Sequence, residues 1–354
     1  MYLCNMPVSR ILINWYHQHK RDLPWRNTRD PFRIWLSEII LQQTRVEQGL
    51  PYYIRFTEQF PHVTALADAS EDEVLKLWQG LGYYSRARNL HAAARQIRDE
   101  YQSVFPGSYA DIIKLKGIGE YTAAAISSFA YNEVQAVVDG NVFRVLARYY
   151  GIDTPINSTQ GKKIFTQIAN EIIDPLQPAM HNQAIMEFGS IQCKPQSPDC
   201  SVCPLREGCV AFRENKVSQL PVKIRNTKIR KRYLNYFLIK EDAGLYIRKR
   251  TDNDIWKNMY EFPLIETPSQ LSEQELMQGD EWQKLFGNKK YSIRSISHEI
   301  KHVLSHQHLY ARFWKVDLAG KYPDLSEQFV FVKDEELMNF ALPRLIDSFL
   351  EKFA

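Results

Sequence analysis

The chain has 354 residues, of which 24% are charged and 44% are hydrophobic, and its formal net charge at pH 7 is +4. This composition excludes a disordered or fibrous protein, and the length predicts two or three domains. The net charge does not by itself indicate a nucleic-acid partner, because domains that bind nucleic acids are usually strongly basic.

Neither a membrane span nor a secretory signal is expected. No apolar run approaches the ~18 residues that a span needs. The first twenty residues contain Arg10, His17, His19 and Lys20 among the apolar positions, which is unlike a signal peptide. We therefore expect no membrane partner and a reducing compartment, in which disulfides are rare.

Helical patterns follow one another through the first half of the chain. The run 30–43 begins with Asp-Pro, an N-cap followed by proline at the first helical position. Its apolar residues, among them Trp35 and Ile39, recur at helical spacing and form one face. Further helices are predicted at 72–79, 85–101, 120–130, 141–150, 158–174 and 181–189, with glycine turns at 80–82 and 117–119.

The pattern changes near residue 233. Residues 233–240 and 245–250 are rich in β-branched and aromatic side chains, and Asp-Ala-Gly between them predicts a hairpin. Further strands are predicted at 290–296 and 308–317, and a closing helix at 342–352. The sequence therefore predicts a helical half followed by an α+β half.

Four of the five cysteines form a cluster in the sequence. Cys193, Cys200, Cys203 and Cys209 follow the spacing C-x6-C-x2-C-x5-C, whereas Cys4 stands alone. A loop of this length can surround one metal centre with four thiolates, and both zinc and iron–sulfur clusters accept that ligand set. Zinc modules favour paired C-x2-C elements, and only one such pair is present, so the spacing favours a [4Fe–4S] cluster and leaves zinc open.

A glycine-rich turn at 115–119, with the sequence Leu-Lys-Gly-Ile-Gly, separates two predicted helices. Gly117 and Gly119 carry no side chains, so backbone N–H groups in such a turn can face an anion. This is how a helix-hairpin-helix holds a DNA phosphate. Taken alone, the motif is more typical of an ordinary helix C-cap.

Residues 222–232 contain six Lys or Arg residues and no acid. A solvated linker is the usual explanation of such a run. Contact with phosphates is the alternative, because it needs only accessible cations.

Two longer motifs indicate a family. Leu-Lys-Gly-Ile-Gly-Glu-Tyr-Thr-Ala at 115–123 is followed by Val-Val-Asp-Gly-Asn-Val at 137–142 and then by the cysteine spacing. Together they resemble the helix-hairpin-helix DNA glycosylases that carry a [4Fe–4S] cluster. The resemblance favours iron–sulfur over zinc in the cysteine loop.

Three more segments narrow the resemblance. Leu-Pro-Trp-Arg at 23–26 and the runs 35–46 and 81–89 resemble the members of that family that remove adenine mispaired with 8-oxoguanine or guanine. The resemblance covers residues 8–215 and, more loosely, 230–350. It implies a monofunctional glycosylase of base excision repair that flips adenine out of duplex DNA and hydrolyses its N-glycosidic bond.

The implied fold is multidomain, with an all-α helix-hairpin-helix half, made of a six-helix barrel lobe and a [4Fe–4S] lobe, before an α+β Nudix-like domain. The predicted bounds are an N-terminal helix packing with the iron–sulfur lobe at 1–28, the barrel lobe at 29–130, the cluster lobe at 131–218, a basic linker at 219–231 and the Nudix-like domain at 232–354.

The resemblance also assigns catalytic residues. Glu38 would donate a proton to the adenine ring and later activate water, and Asp139 would stabilise the cation at C1′. Tyr121 and Asn141 would orient these groups, with Arg26 in the same pocket. Partial burial would raise the pKa of Glu38 and keep it protonated near neutral pH. A surface glutamate and a plain helix N-cap are the ordinary explanations of Glu38 and Asp139 taken singly.

The DNA contacts implied by the resemblance are Gln43, Thr44, Tyr83, Gly117, Gly119, Ser305 and His306. Gln43 and Tyr83 correspond to residues that wedge into the base stack. In the Nudix-like half, 301–309 matches the segment that senses 8-oxoguanine, where the Ser305 hydroxyl would contact the modified edge of the base and His302 and His306 would support the loop. The glutamate-rich Nudix hydrolase box is missing, so we expect no Mg²⁺-dependent nucleotide hydrolysis.

Two other functions remain to be weighed. A bifunctional glycosylase/lyase of the endonuclease III type carries a lysine directly after the hairpin, where this chain has Tyr121, and a phenol cannot form a Schiff base. A non-catalytic DNA-binding module would not need both Glu38 and Asp139. The expected partner is double-stranded DNA with an A:8-oxoguanine or A:G mispair, bound by a monomer. If the protein is bacterial, we expect it in the cytoplasm, associated with the nucleoid through DNA.

Overall fold

The computed structural model describes residues 7–224 and 229–353. The chain divides into two compact units: a helical unit of residues 1–68 and 89–225, and a sheet unit of residues 69–88 and 226–354. The sequence placed residues 69–88 in the barrel lobe, whereas their contacts group them with the sheet. Residues 225–228 of the basic run, and Cys4, lie outside the described residues.

The first part of the chain forms helices. They are α1 (Val8–His19), α2 (Pro31–Leu41), α3 (Val46–Gln59), α4 (Val63–Asp68), α5 (Glu71–Trp78), α6 (Ser85–Glu100), α7 (Tyr109–Ile112), α8 (Glu120–Tyr131), α9 (Gly140–Tyr150), α10 (Thr159–Ile172), α11 (Pro178–Glu187) and α12 (Val210–Arg213). A π-helical turn at Phe188–Gln192 extends α11. Within the described residues, none of the helices combines the length and the apolar character needed to cross a bilayer.

The second part forms a mixed sheet with helices. Its strands are β1 (Arg230–Glu241), β2 (Gly244–Lys249), β3 (Tyr260–Glu261), β4 (Leu264–Thr267), β5 (Tyr291–Ile296), β6 (Ile300–Val303), β7 (Gln307–Leu318) and β8 (Val330–Lys333), and its helices are α13 (Glu273–Gln278), α14 (Asp280–Phe286), α15 (Pro323–Gln328) and α16 (Arg344–Phe353).

Local side chains set the helix starts that the sequence predicted. The Asp30 carboxylate accepts a hydrogen bond from the Phe32 N–H and begins α2, and Ser70 and Glu73 form a capping box at the start of α5. The resemblance implied the N-terminal helix α1, but the helical patterns of the sequence predicted neither its bounds nor α3. Both begin without a side-chain cap, and α3 contains Pro51, so neither carries the usual start signature.

Strand β1 is the centre of the sheet. It forms the predicted hairpin with β2, in which Glu241 pairs with Gly244, and it pairs in parallel with β7 from Arg230 opposite Gln307 onward. A parallel pair of distant strands needs a long crossover, and here it comprises β2 to β6 with α13 and α14. Each unit has its own core.

The core of the helical unit contains Trp15 of α1, Phe165 of α10 and Phe188, and the core of the sheet unit contains Phe237, Trp282 and Trp314. Helix α1 packs against α11, so the N-terminal segment is fastened to the lobe that carries the cysteine loop.

Residues 69–88 join the sheet unit through polar contacts. Asp72 of α5 binds Lys249 Nζ at 2.5 Å and accepts a hydrogen bond from the Tyr260 hydroxyl at 3.1 Å. The Gln79 amide donates to the Asp347 carboxylate at 2.9 Å. The sequence could not show this grouping, because the partners lie far away along the chain.

The end of α9 gives a test of the packing. Gly151 has a φ of +70°, and a Cβ placed on it would lie 2.4 Å from Val210 Cγ1 of α12. Gly151→Ala should therefore cost about 1–3 kcal/mol of unfolding free energy, through backbone strain and overpacking. The change is measured as a lower midpoint of chemical denaturation.

Gly107→Ala is the matched control. A Cβ there meets only Tyr131 ring atoms, at 3.8 Å or more, and the backbone is not left-handed. Equal midpoints for the two variants would contradict the packing described for α9 and α12.

Candidate active site

A cavity of about 1180 Å³ lies in the helical unit, and all five predicted catalytic residues line it. They come from distant stretches of chain: Arg26 from a 3₁₀ turn, Glu38 from α2, Tyr121 from the first turn of α8, and Asp139 and Asn141 from the start of α9. The fold thus assembles the residues that the motifs indicated.

Glu38 is a buried carboxyl group, 8% exposed, on the cavity wall. Its Oε2 accepts a hydrogen bond of 2.8 Å from the Tyr121 hydroxyl. Burial raises the pKa of Glu38 to about 7; the Tyr121 hydrogen bond opposes that rise, the nearby Asp139 charge adds to it and Arg26 lowers it. The group can therefore exchange a proton near neutral pH.

Asp139 is both the N-cap of α9 and a cavity residue. Its Oδ1 accepts the backbone N–H groups of Asn141 and Val142, each at 2.8 Å, and its Oδ2 accepts the Asn141 side-chain amide at 2.7 Å. Desolvation raises the pKa of Asp139, while these hydrogen bonds lower it. Asp139 can therefore be both an ordinary helix N-cap and a candidate catalytic residue, because the capping hydrogen bonds fix its carboxylate in the cavity.

Asn141 is held in turn by Arg144. The Arg144 guanidinium donates to Asn141 Oδ1 at 2.8 Å, to the Gly189 carbonyl at 2.6 Å and to the Cys193 carbonyl at 2.8 Å. A Cβ on Gly189 would lie 2.7 Å from Asn141 Cβ, so only glycine permits this close approach. Gly189 belongs to the π-helical turn after α11, a distortion often found at functional sites.

The sequence did not single out Glu187, which also lines the cavity. This carboxylate is 1% exposed and accepts hydrogen bonds from the guanidinium groups of both Arg21 and Arg26. The feature that could have revealed it is an acid inside the apolar run Ile-Met-Glu-Phe at 185–188.

The wedge candidates share an unusual backbone. Gln43 follows the C-cap of α2 with a φ of 55°, and Tyr83 lies two residues before α6 with a φ of 49°. Non-glycine residues rarely adopt this left-handed conformation, and when they do they cluster at functional sites. Gln43 and Thr44 line the catalytic cavity of the helical unit.

The two hairpin glycines differ in what they require. Gly117 has a φ of +74°, and a Cβ on it would lie 2.5 Å from Asn89 Cβ. Gly119 is the N-cap of α8, has an ordinary φ of −103°, and would place a Cβ in open space. Gly117 is therefore fixed by the fold, and Gly119 leaves the N-terminus of α8 uncovered.

A second cavity, of about 790 Å³, lies in the sheet unit and contains Tyr83, Ser305 and His306. The Tyr83 hydroxyl and Ser305 Oγ are 2.8 Å apart, and the Tyr83 ring is 46% exposed. Ser305 lies in a turn closed by the Leu304 N–H and the Gln307 carbonyl. The fold thus places the predicted wedge beside the predicted 8-oxoguanine contact.

His302 and His306 play different parts in this loop. The His302 ring packs against Trp256 with 6.0 Å between ring centroids, and burial lowers its pKa. The His306 carbonyl accepts the Arg230 N–H at 3.0 Å. His302 therefore supports the loop by packing, and His306 ties it to the start of β1.

The cysteine loop brings its four thiols near one another. Burial raises the pKa of the Cys203 thiol to about 12, and the charges of Cys193, Cys200 and Cys209 add to the rise. Arg148 donates to Cys193 Sγ at 3.3 Å. Among the described residues, no three His, Cys, Asp or Glu side chains are arranged to bind a single metal ion. Four cysteine thiols from one loop are a ligand set that an iron–sulfur cluster accepts.

Arg232, the last residue of the basic run 222–232, forms buried ion pairs. Arg232 is 5% exposed and forms ion pairs with Glu266 at 2.5 Å and Asp254 at 2.7 Å. The interpretation of Arg232 as a solvated or phosphate-binding cation is therefore wrong, because β1 carries it into the sheet unit. Lys223, Arg230 and Lys231 are exposed.

Two family models match separate parts of the chain. Residues 36–174 match the HhH-GPD superfamily of base excision DNA repair proteins, and residues 235–352 match the NUDIX domain. These matches confirm the predicted helix-hairpin-helix half and the predicted Nudix-like half.

Curated relatives cover nearly the whole chain. It is 38% identical to an adenine DNA glycosylase of Buchnera aphidicola subsp. Baizongia pistaciae, over 84% of this chain and 83% of that protein. It is 33% identical to an adenine DNA glycosylase of Buchnera aphidicola subsp. Acyrthosiphon pisum, over 98% of this chain and 97% of that protein.

Solved structures resemble the helical part. A thermostable thymine-DNA glycosylase is 28% identical, with a TM-score of 0.55 over 58% of this chain and 95% of that chain. Endonuclease III in a non-covalent complex with DNA is 21% identical, with a TM-score of 0.51 over 59% of this chain and 99% of that chain, and shows a shared fold.

Tyr121→Phe tests the electrostatics of the cavity. The substitution removes the hydrogen bond that lowers the pKa of Glu38, so that pKa should rise above its value of about 7. Infrared difference spectroscopy of the carboxyl band, followed through a pH titration, measures the shift.

Tyr131→Phe is the control, since the Tyr131 hydroxyl donates to the Phe105 carbonyl instead. A Glu38 titration that moves to lower pH in Tyr121→Phe would contradict the assigned hydrogen bond.

Proposed function

Because this chain belongs to the adenine DNA glycosylase family and is a base excision repair enzyme that acts on adenine in DNA, we propose that it removes adenine opposite 8-oxoguanine or guanine. An adenine inside a duplex cannot reach the cavity that holds Glu38, so the nucleotide must first rotate out of the stack. The observation that carries the proposal is the pair of unlike carboxyl groups in one cavity: Glu38, whose pKa is about 7, and Asp139, fixed by α9.

Glu38 acts first, as the acid. Its carboxyl proton passes to a ring nitrogen of the flipped adenine while the bond between C1′ and the base breaks, and the bonding electrons leave with the base. The sugar is left with positive charge shared between C1′ and the ring oxygen. A protonated base is a far better leaving group than an adenine anion, so this proton transfer lowers the barrier.

Asp139 then stabilises the sugar cation. The hydrogen bonds from Asn141 and Val142 hold its carboxylate in place, which means that little reorganisation is needed as charge develops at C1′. Glu38, now ionised, takes a proton from the water that attacks C1′. Glu38 is thereby returned to its acid form, and the product is an abasic site.

The reaction stops at base removal. The position after the hairpin is Tyr121, whose hydroxyl donates to Glu38 and cannot form an imine with the sugar. Strand cleavage by a lyase step is therefore not part of the activity. Borohydride reduction during turnover should trap no covalent protein–DNA adduct.

The opposite base is contacted by the sheet unit. Compared with guanine, 8-oxoguanine gains an N7–H donor and an O8 acceptor, and a hydroxyl such as that of Ser305 can satisfy either. The Tyr83 ring is exposed beside it, at a distance that lets the two hydroxyls hydrogen-bond before DNA arrives. Ser305 selects the damaged base, and Tyr83 fills the space in the stack.

The cysteine loop holds a [4Fe–4S] cluster through Cys193, Cys200, Cys203 and Cys209. The family resemblance and the convergence of the four thiols support this assignment. When bound, the cluster supplies iron–thiolate bonds that cross-link the loop. Arg148 adds charge-assisted hydrogen bonds to the carbonyls of Lys194, Pro195 and Leu220, which hold the loop against α9.

Adenine release should depend on pH in a defined direction. Glu38 must carry a proton, so the single-turnover rate should fall as pH rises through about 7. Asp139 must be ionised, and its raised pKa should produce a second fall in rate on the acid side.

Glu38→Gln keeps the shape of the side chain but carries no acidic carboxyl proton. It should lower the single-turnover rate by roughly 10²–10⁴-fold.

The assay uses an A:8-oxoguanine duplex, with alkali cleavage of the abasic product. Glu171→Gln removes an exposed carboxylate of α10 and is the control. A normal rate in Glu38→Gln would disprove the assigned acid.

Ser305→Ala should reduce discrimination rather than chemistry. Loss of one hydrogen bond to 8-oxoguanine should lower the ratio of rates on A:8-oxoguanine and A:G substrates by about tenfold, with the rate on A:G nearly unchanged. Ser292→Ala, on the exposed face of β5, is the control. An unchanged ratio would show that Ser305 does not contact the opposite base.

A further inference from the structure

Glu187 binds two arginines at once in the wall of the catalytic cavity. Arg21 donates to it through Nε at 2.8 Å, through Nη2 at 2.6 Å and through its backbone N–H at 3.0 Å. Arg26 donates through Nη1 at 3.0 Å and through Nη2 at 2.7 Å. We call this arrangement of Glu187, Arg21 and Arg26 the arginine clamp.

Glu187 contributes a permanent negative charge to the clamp. Burial alone would raise the pKa of Glu187, but the hydrogen bonds from Arg21 and Arg26 outweigh it and lower the pKa to about 2. The carboxylate is therefore ionised wherever the enzyme works. It offsets one of the two guanidinium charges, so the clamp as a whole carries one positive charge rather than two.

The clamp also fixes the direction of Arg26. Both Nη atoms of Arg26 are bound by Glu187, and Nη1 also donates to the Arg21 carbonyl at 3.0 Å. The guanidinium lies over the Tyr16 ring, 5.7 Å from its centroid. Arg26 Nε is buried and has no hydrogen-bond partner in the part of the chain that the structure describes. Glu187 is thus the group that determines how the side chain is turned.

Arg26 is the positive group whose charge lowers the pKa of Glu38. The other groups that face Glu38 are Tyr121 of α8 and Asp139 at the start of α9. Further charged residues line the same cavity: Arg21, Arg45, Glu47, Glu120, Lys162 and Glu187. A freed Arg26 charge would therefore act directly on the carboxyl group that must stay protonated.

We propose that Glu187 is a positioning residue of the glycosylase reaction, which holds Arg26 against the cavity wall and offsets its charge so that Glu38 keeps the proton taken by the leaving base. The inference rests on the proposed role of Glu38. It adds a residue that touches neither the sugar nor the base and acts through Arg26.

The test compares the pH dependence of single-turnover adenine release in full-length wild type, Glu187→Gln and Glu187→Asp. Glu187→Gln leaves both guanidinium charges uncompensated, so the fall at high pH should move down by roughly 0.5–1 pH unit. The plateau below it should drop about 10–100-fold, as Arg26 leaves its place. Infrared titration of the Glu38 carboxyl band should show the same downward shift, independently of activity.

Glu187→Asp separates charge from position. It keeps the negative charge, so the inflection of the pH–rate profile, where the rate falls at high pH, should stay near that of the wild type. Its shorter side chain cannot hold both arginines, so the plateau rate below the inflection should fall several-fold. Glu261→Gln is the matched control: Glu261 is a fully buried carboxylate that binds Arg248 and Arg250 in the sheet unit. Its inflection should not move.

Two results would overturn the proposal. One is a Glu187→Gln enzyme with a lower plateau but an unmoved inflection and infrared titration, since Glu187 would then only tie the N-terminal segment to α11. The other is a Glu187→Asp enzyme with the full wild-type rate of adenine release. This second result would overturn the proposal even if Glu187→Gln does not fold. A wild type that releases no adenine would instead refute the proposed function.

Discussion

Glu38, Asp139 and Glu187 are three of the carboxyl groups that line one cavity of the helical unit, and the cost of removing them from water shapes the structure around them. Each is stabilised in a different way. Glu38 takes up a proton, Asp139 is capped by the N-terminus of α9 and by Asn141, and Glu187 is bound by arginines of the N-terminal segment. Since the three environments differ, three chemically similar groups end with different protonation states, which is what acid catalysis beside a stable anion requires.

Hydrogen bonds of Arg144 join the wall of the catalytic cavity to the cysteine loop. Arg144 reaches from the Asn141 side chain to the carbonyls of Gly189 and Cys193, and the missing side chain of Gly189 makes that approach possible. The π-helical turn at Phe188–Gln192 supplies these carbonyls directly after Glu187. The loop is therefore attached to the wall that orients the Asp139 carboxylate, so an architectural centre in it would stabilise the catalytic geometry.

The net charge of +4 describes neither unit well. In the sheet unit, Arg232 and Arg250 are buried and neutralised by acids such as Glu261 and Glu266, so they contribute to folding rather than to DNA binding. The uncovered hairpin turn and exposed cations remain as surfaces for phosphates. A sum over the sequence cannot separate buried ion pairs from accessible charge, because burial depends on how strands pair.

The sequence by itself determined most of the local elements and the two halves of the chain, and it predicted Glu38, Asp139 and the four cysteines as site residues. Caps, turns and motifs depend on neighbours a few residues away, as when Asp139 binds the N–H groups that follow it. Only the tertiary structure decided that the pKa of Glu38 is raised to about 7 and that the pKa of Glu187 is lowered to about 2. Their pKa values depend on desolvation and on Tyr121 and Arg26, partners 83 and 161 residues away along the chain, and no local pattern records those distances.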